Sequence, residues 1–180
     1  DEDKGSVQRG IRFLNGRRQI LVQDEIKKQN KEIQWRVQTN ATVELSKDKK
    51  TATLTITEVH DPNAAIDKMK INIPKAQMKA TILSPGNAQF AVAPAYDKNS
   101  KNPSYYYGEN EVPSQDTDNN GQRIQAEVLD YEVNVLSITL PGDSDTNIKV
   151  WWQPQYSELN DADKAQPKNV PLSKWSIDSH

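Results

Sequence analysis

At 180 residues the chain is long enough for one domain with a sizeable core and too short for two independent ones. Its net charge of −2 gives no global pull toward nucleic acid, and no apolar run approaches the roughly 18 residues that span a bilayer. Cysteine is absent, which excludes disulfides, thiolate chemistry and cysteine-bound zinc.

The hydrophobic fraction of 34% suits a β-domain with long polar loops. The opening DEDKGSVQRG is no signal peptide, so such a segment is expected to be already removed or to lie on a longer precursor. Residues 1–9 are polar and read as an extended lead-in. Segments 10–14 and 17–26 flank Asn15-Gly16, whose two residues accept the positive φ of a type I′ turn. A two-residue loop pairs Leu14 with Arg17 and Ile11 with Ile20. Ile11, Phe13, Ile20 and Val22 then share one face, with Leu14 and Leu21 on the other.

In residues 33–56, Ile33, Trp35 and Val37 alternate with Gln34, Arg36 and Gln38. Ala41, Val43 and Leu45 continue the period of two, and after the charged SKDKK turn Ala52, Leu54 and Ile56 alternate with threonines. Such alternation marks half-buried antiparallel strands, with Trp35 as the largest core anchor. Met69, Ile71 and Ile73 suggest a further strand that Pro74 ends. Two short strands over 77–83 and 89–93 flank a turn at 84–87. Residues 94–122 form one long irregular loop holding Tyr105, Tyr106 and Tyr107. Strands are expected over 123–129, 133–140 and 148–153, the last with Trp151 and Trp152. The tail over 157–170 is unpatterned, and Leu172, Trp175 and Ile177 suggest a short closing strand. The expectation is a single all-β domain over 1–180, an antiparallel β-sandwich of roughly ten strands without a convincing helix.

Several segments taken together resemble the C-terminal β-domain of heparinase II/III-like polysaccharide lyases: QRGIRFLNGRRQILVQDEI, WRVQTNATVEL with KTATLTI, ATILSPGNAQF, VLSITLPG with IKVWWQP, and PLSKWSIDSH. The resemblance covers most of residues 8–180. It implies a helical toroid followed by stacked β-sheets, cleaving uronic-acid glycosidic bonds by β-elimination. The histidine-rich catalytic and metal-binding segment would lie upstream of this chain, which has only His60 and His180. Relatives often carry His where this sequence has Gln38. The chain alone is therefore expected to be inactive, an accessory domain that helps to line an anionic-glycan cleft. The alternative is a free-standing secreted module binding carbohydrate or protein without catalysis.

Candidate carbohydrate contacts are Arg17, Arg18, Arg36, Gln38 and Trp152. Arginine pairs bidentately with carboxylate or sulfate, and one tryptophan of the Trp151-Trp152 pair should join the core while the other either stacks on sugar or is covered by the tail. Against this, the basic hairpin with Arg9, Arg12, Lys27, Lys28 and Lys31 also reads as a solvated strand face. Asn40-Ala41-Thr42 is the one glycosylation triplet, with a plain exposed Asn40 as its alternative. The absence of cysteine leans toward the cytosol; the triplet leans the other way, and a secreted protein is expected.

Asp116, Asp118, Asn120, Gly121 and Glu127 fit D-x-[DN]-x-[DN]-G-x5-E, a spacing that can wrap Ca²⁺ in hard oxygen ligands. Arg123 stands close after the glycine, and neither flank reads as a helix, so an acidic turn followed by a strand is the other reading. If calcium binds, millimolar Ca²⁺ raises the melting temperature, by the equivalent of about 2.7 kcal/mol at about 100 times its Kd, and Asp116→Ala abolishes the increment. Identical melting curves in calcium and in chelator leave only the acidic turn.

Overall fold

A computed structural model describes residues 5–27, 30–60, 70–94, 133–156 and 158–176. Among them the chain forms β1 (Ser6–Leu14), β2 (Gln19–Lys27), β3 (Ile33–Thr39), β4 (Thr42–Leu45) and β5 (Thr51–His60), followed by β6 (Lys70–Ser84), β7 (Phe90–Pro94), β8 (Asn134–Leu140) and β9 (Thr146–Pro154). One sheet has the order β1-β2-β9-β6-β5-β4 and the other β3-β8-β7. Every pairing is antiparallel. The all-β expectation holds. The loop expected beyond Pro94, with Tyr105, Tyr106 and Tyr107, and the strand expected over 123–129 lie outside the described residues.

The alternation in 33–56 belongs to two sheets. β3 joins the smaller sheet, and the chain crosses at Asn40 and Ala41 before β4 and β5 enter the larger one. Both sheets contribute to one apolar cluster, in which Trp35, Leu136, Ile138 and Phe90 meet Ala52, Ala80, Ile82, Val150 and Trp152. Trp35 is 4% exposed, and its ring centroid lies 6.4 Å from those of Phe90 and Trp152. Small residues opposite it matter: Ala52 and Ala80 pair directly and are wholly buried, leaving room for large rings.

Three details of the strands depart from expectation. The first hairpin turns over residues 15–18, not two residues. Asn15, Gly16 and Arg17 all take positive φ (51°, 65° and 68°), and Arg18 N–H donates to Leu14 O at 3.0 Å. Leu14 therefore pairs with Gln19 and Ile11 with Val22. The shift is an even number of residues, so the side chains keep their faces. β1 also begins at Ser6, within the stretch read as a lead-in. Finally, β6 runs through Pro74. The register jumps between Ile56↔Ala76 and Glu58↔Asn72, so the proline sits in a bulge, where its missing N–H breaks no ladder bond.

The tail is a strap over the outer face of the larger sheet. Asp161–Lys164 forms a short helix, α1, started by a reciprocal capping box: Asn160 Oδ1 accepts from Asp163 N–H, and the Asp163 carboxylate accepts from Asn160 N–H. The closing strand expected at 172–177 is, in its described part, a single 3-10 turn over Leu172–Lys174. The spacing explains the change. Leu172 and Trp175 are three apart, so one side of a 3-10 turn presents both, whereas a strand would split them. Both pack on Gly10, where a Cβ would overlap Leu172 and lie 2.7 Å from Trp175.

Polar side chains of the sheet hold the strap by its backbone. Gln153 and Gln19 donate to Asp163 O, Gln23 donates to Val170 O, and Glu25 accepts from Leu172 N–H at 2.7 Å. Buried Lys149 donates to Asn169, and burial lowers its pKa, offset in part by Glu25. Buried backbone groups require such partners.

Trp35→Ala should cost roughly 3–5 kcal/mol, a large share of the 5–15 kcal/mol that holds a domain together. Arg36→Ala, one residue on and exposed, should change stability by less than about 0.5 kcal/mol. Denaturant midpoints of the two variants check this; equal midpoints would invert the register argued for β3.

Candidate functional site

β3 turns Ile33 and Trp35 inward and leaves Gln34, Arg36 and Gln38 exposed on the outer face of the smaller sheet. β8 extends that face, with Thr139 opposite Gln34 and Ser137 opposite Arg36. Arg36 and Gln38 are thus the two expected contacts that the fold brings together. Val135, opposite Gln38, is buried, so the exposed polar part of this face runs from Gln34 and Thr139 to Arg36 and Ser137, with Gln38 at its margin.

The other expected contacts lie elsewhere. Arg17 is exposed in the first turn. Arg18 is engaged by the strap: Nε lies 3.1 Å from each Asp163 carboxylate oxygen, a terminal nitrogen donates to Glu158 O at 2.9 Å, and the guanidinium carbon stands 4.4 Å from the Tyr156 ring centroid. This is a clamp on the tail. Its signal in the sequence was Asn160-x-x-Asp163, a capping pattern within an otherwise featureless tail.

Trp152 offers no stacking platform. It is 8% exposed and packs against Trp35, because its position on β9 faces the shared core. Trp151 points to the opposite face, where it is buried and donates its indole N–H to Gln19 at 3.2 Å. One tryptophan is closed in by the core and the other lies on the strap side. Asn40 is exposed where the chain passes between sheets. Asp116, Asp118, Asn120 and Glu127 lie outside the described residues, as do the side chain of His60 and all of His180. Among the described residues no three carboxylate or histidine groups gather as metal ligands, and no helix is long and apolar enough to cross a membrane.

A cleft of about 370 Å³ opens beside this face, between β3 and the pair β1–β2. Trp35, Ile26 and Ile148 give it apolar walls; Arg9, Asp24, Glu32 and Arg36 give it charge. Asp24 is 2% exposed and lies on the core-facing side of β2. Arg9 binds it with a fork, Nε to one oxygen at 2.6 Å and a terminal nitrogen to the other at 2.7 Å. The pair was hidden from sequence reasoning by the hairpin register. A two-residue loop sets Arg9 opposite Val22, whereas the longer turn sets it opposite Asp24. The arrangement can hold a polar ligand edge-on against apolar walls.

Compared with protein families and with curated proteins, the chain matches none.

The strap carries a pH dependence. Hydrogen bonds from Arg18 hold the Asp163 carboxyl below its ordinary value, with burial opposing and Asn160 N–H assisting. A folded pKa below the unfolded one stabilises above the ordinary aspartate range of about 4, and that stability is lost as pH falls through the folded value. Melting temperature should therefore fall more steeply below about pH 4 in the native chain than in Asp163→Asn, the two curves converging at the acid end. Parallel curves across that range would show that the clamp contributes nothing.

Proposed function

We propose that this chain is the accessory β-domain of a secreted, heparinase II/III-like polysaccharide lyase, and that it offers the outer face of the smaller sheet to an anionic, uronic-acid-containing polysaccharide. The observation that supports this is the arrangement on β3. Arg36 and Gln38 stand exposed in one row, backed by Trp35 locked in the core, so the polar row sits on a rigid strand. The sequence resemblance supplies the ligand class, and a guanidinium suits the carboxylate of a uronate. Arg18 is left out of the proposed surface because the strap occupies it.

In this reading catalysis belongs to a helical part outside the chain. The domain holds polymer beside it and adds the β-layer.

Calorimetric titration with glucuronan, alginate and heparin tests the proposal. Arg36→Ala should weaken binding by roughly 10- to 150-fold, the range of a charge-assisted hydrogen bond worth about 1.5–3 kcal/mol. Arg18→Ala should lower the melting temperature and leave affinity at most slightly changed. The chain by itself should release no unsaturated uronate. Heat-labile growth of the ultraviolet band of that product would overturn the accessory role, and unchanged affinity in Arg36→Ala would overturn the surface.

A further inference from the structure

Two apolar rows are interrupted at the same level. The core-facing row of β2 reads Ile20, Val22, Asp24 and Ile26, and the row of β1 beside it reads Phe13, Ile11, Arg9 and Val7. Arg9 stands directly opposite Asp24, whose neighbour on the other side is Ile148 of β9. Arg9, Asp24 and Ile148 all line the cleft of about 370 Å³, together with Val7, Ile26 and Trp35. An ion pair placed among apolar side chains adds little stability over aliphatic residues of the same volume, because both charges leave water. Stability is thus a weak reason for the pair, and breaks in a local pattern gather at functional sites.

The fork leaves the guanidinium half used. Asp24 takes the edge made of Nε and one terminal nitrogen, Nη2, at 2.6 and 2.7 Å. The group is planar, so the edge made of Nη1 and the second hydrogen of Nη2 points away from that carboxylate. The Asp24 side chain is 3% exposed and that of Arg9 53%, so a buried anion fixes an accessible cation from beneath. A fixed pair of parallel donors matches the two oxygens of a carboxylate. Around it, Val7, Ile26 and Trp35 can take carbon–hydrogen groups. Exposed Glu32 and Gln34, joined to each other at 2.8 Å, can accept from and donate to hydroxyls. The charges of Arg9, Arg36, Asp24 and Glu32 cancel, so no net field gathers anions at large and fit decides. The volume lies at the small end of ligand sites, which span about 300–1,000 Å³.

We propose that this cleft binds a small hydroxylated carboxylate about the size of one sugar ring, of which a hexuronate is the simplest example. The ligand's carboxylate lies on the Nη1–Nη2 edge of Arg9, its carbon–hydrogen face on Val7, Ile26 and Trp35, and its hydroxyls toward Glu32 and Gln34. Arg9 touches the ligand, and Asp24 is a positioning residue that holds the unused edge in place. The site stands on its own residues and needs neither the polymer surface nor the lyase assignment above, although a uronate suits both.

Heteronuclear NMR of the native chain titrated with sodium glucuronate tests this, with glucose as the uncharged control. The Arg9 Nε–H signal and the backbone amides of Ile26 and Trp35 should shift and saturate. Glucose should bind roughly 10- to 150-fold more weakly, the range of charge-assisted hydrogen bonds. Arg9→Lys keeps the charge beside Asp24 but offers no second pair of donors, and should lose affinity by a similar factor with a native circular dichroism spectrum. Val7→Asp, on an exposed wall where the fold tolerates it, sets a second carboxylate against the ligand and should weaken binding as well. Asp24→Asn should broaden the Arg9 Nε–H signal and reduce affinity together. Glucuronan should still bind Arg9→Lys through the outer face, so failure of the cleft and of that face are told apart. Equal affinity for glucose and glucuronate overturns the carboxylate assignment. Glucuronate binding unchanged in Arg9→Lys and Val7→Asp, or no saturable shift at tens of millimolar, overturns the site.

Discussion

Among the described residues a sheet of three strands faces one of six, and three cannot cover six. This mismatch of width is the constraint from which most of the architecture follows. The smaller sheet shields the middle of the larger one, where Trp35 settles between Phe90 and Trp152. The rest of the wide sheet needs other cover. Its outer side receives the tail, and β1 at its margin keeps an inner face that nothing among the described residues conceals.

The tail achieves its cover by unusual means for a β-protein. It has little regular structure of its own, so its peptide groups need partners from outside. The sheet provides them from side chains that ordinary patterning would leave in water: Gln19, Gln23, Glu25, Lys149 and Gln153. Hydrophobic contact is concentrated at one place, where Leu172 and Trp175 press on Gly10. A polar surface thus becomes an interior, and the fully buried Gln23 is its clearest example. Held this way, the strap also fixes Arg18, whose guanidinium is engaged by Asp163 and Glu158 O although the side chain stays partly exposed.

What could be read from the residues follows the same division. Period-two runs such as Ile33-Trp35-Val37 were legible because one face is core and the other water. Their assignment to different sheets was not legible, since alternation says which way a side chain points and nothing about its partner strand. Asn15-Gly16 marked the hairpin correctly, yet the register depended on Arg17 also adopting positive φ, which sequence does not encourage. From that single detail came the missed pairing of Arg9 with Asp24. Adjacent strand residues point oppositely, so one tryptophan of β9 belongs to the core and the tail can cover the other; which of the two is the core ring, Trp152, depends on the partner strands and was not legible. The buried glutamines of β2 gave no signal, because their burial depends on a strap about 145 residues further on, and that of Lys149 depends on the same irregular strap, which has no pattern to announce it. That Arg36 and Gln38 face outward was legible, as it depends only on the parity set by Trp35.

The order of strands has a consequence for how the chain is made. β2 is flanked by β1 and β9, and the indole of Trp151 reaches a glutamine 132 positions earlier. During synthesis the first hairpin is complete long before its other neighbour exists. One margin of β2, with Leu21 and Ile26 beside it, must wait unpaired until β9, more than a hundred residues later, has emerged. Contacts so distant in sequence close slowly, and an unpaired apolar strand is what misassociates in the interval. The central position that makes β9 the keystone of the finished sheet also makes its late arrival the most hazardous moment in the life of the nascent chain.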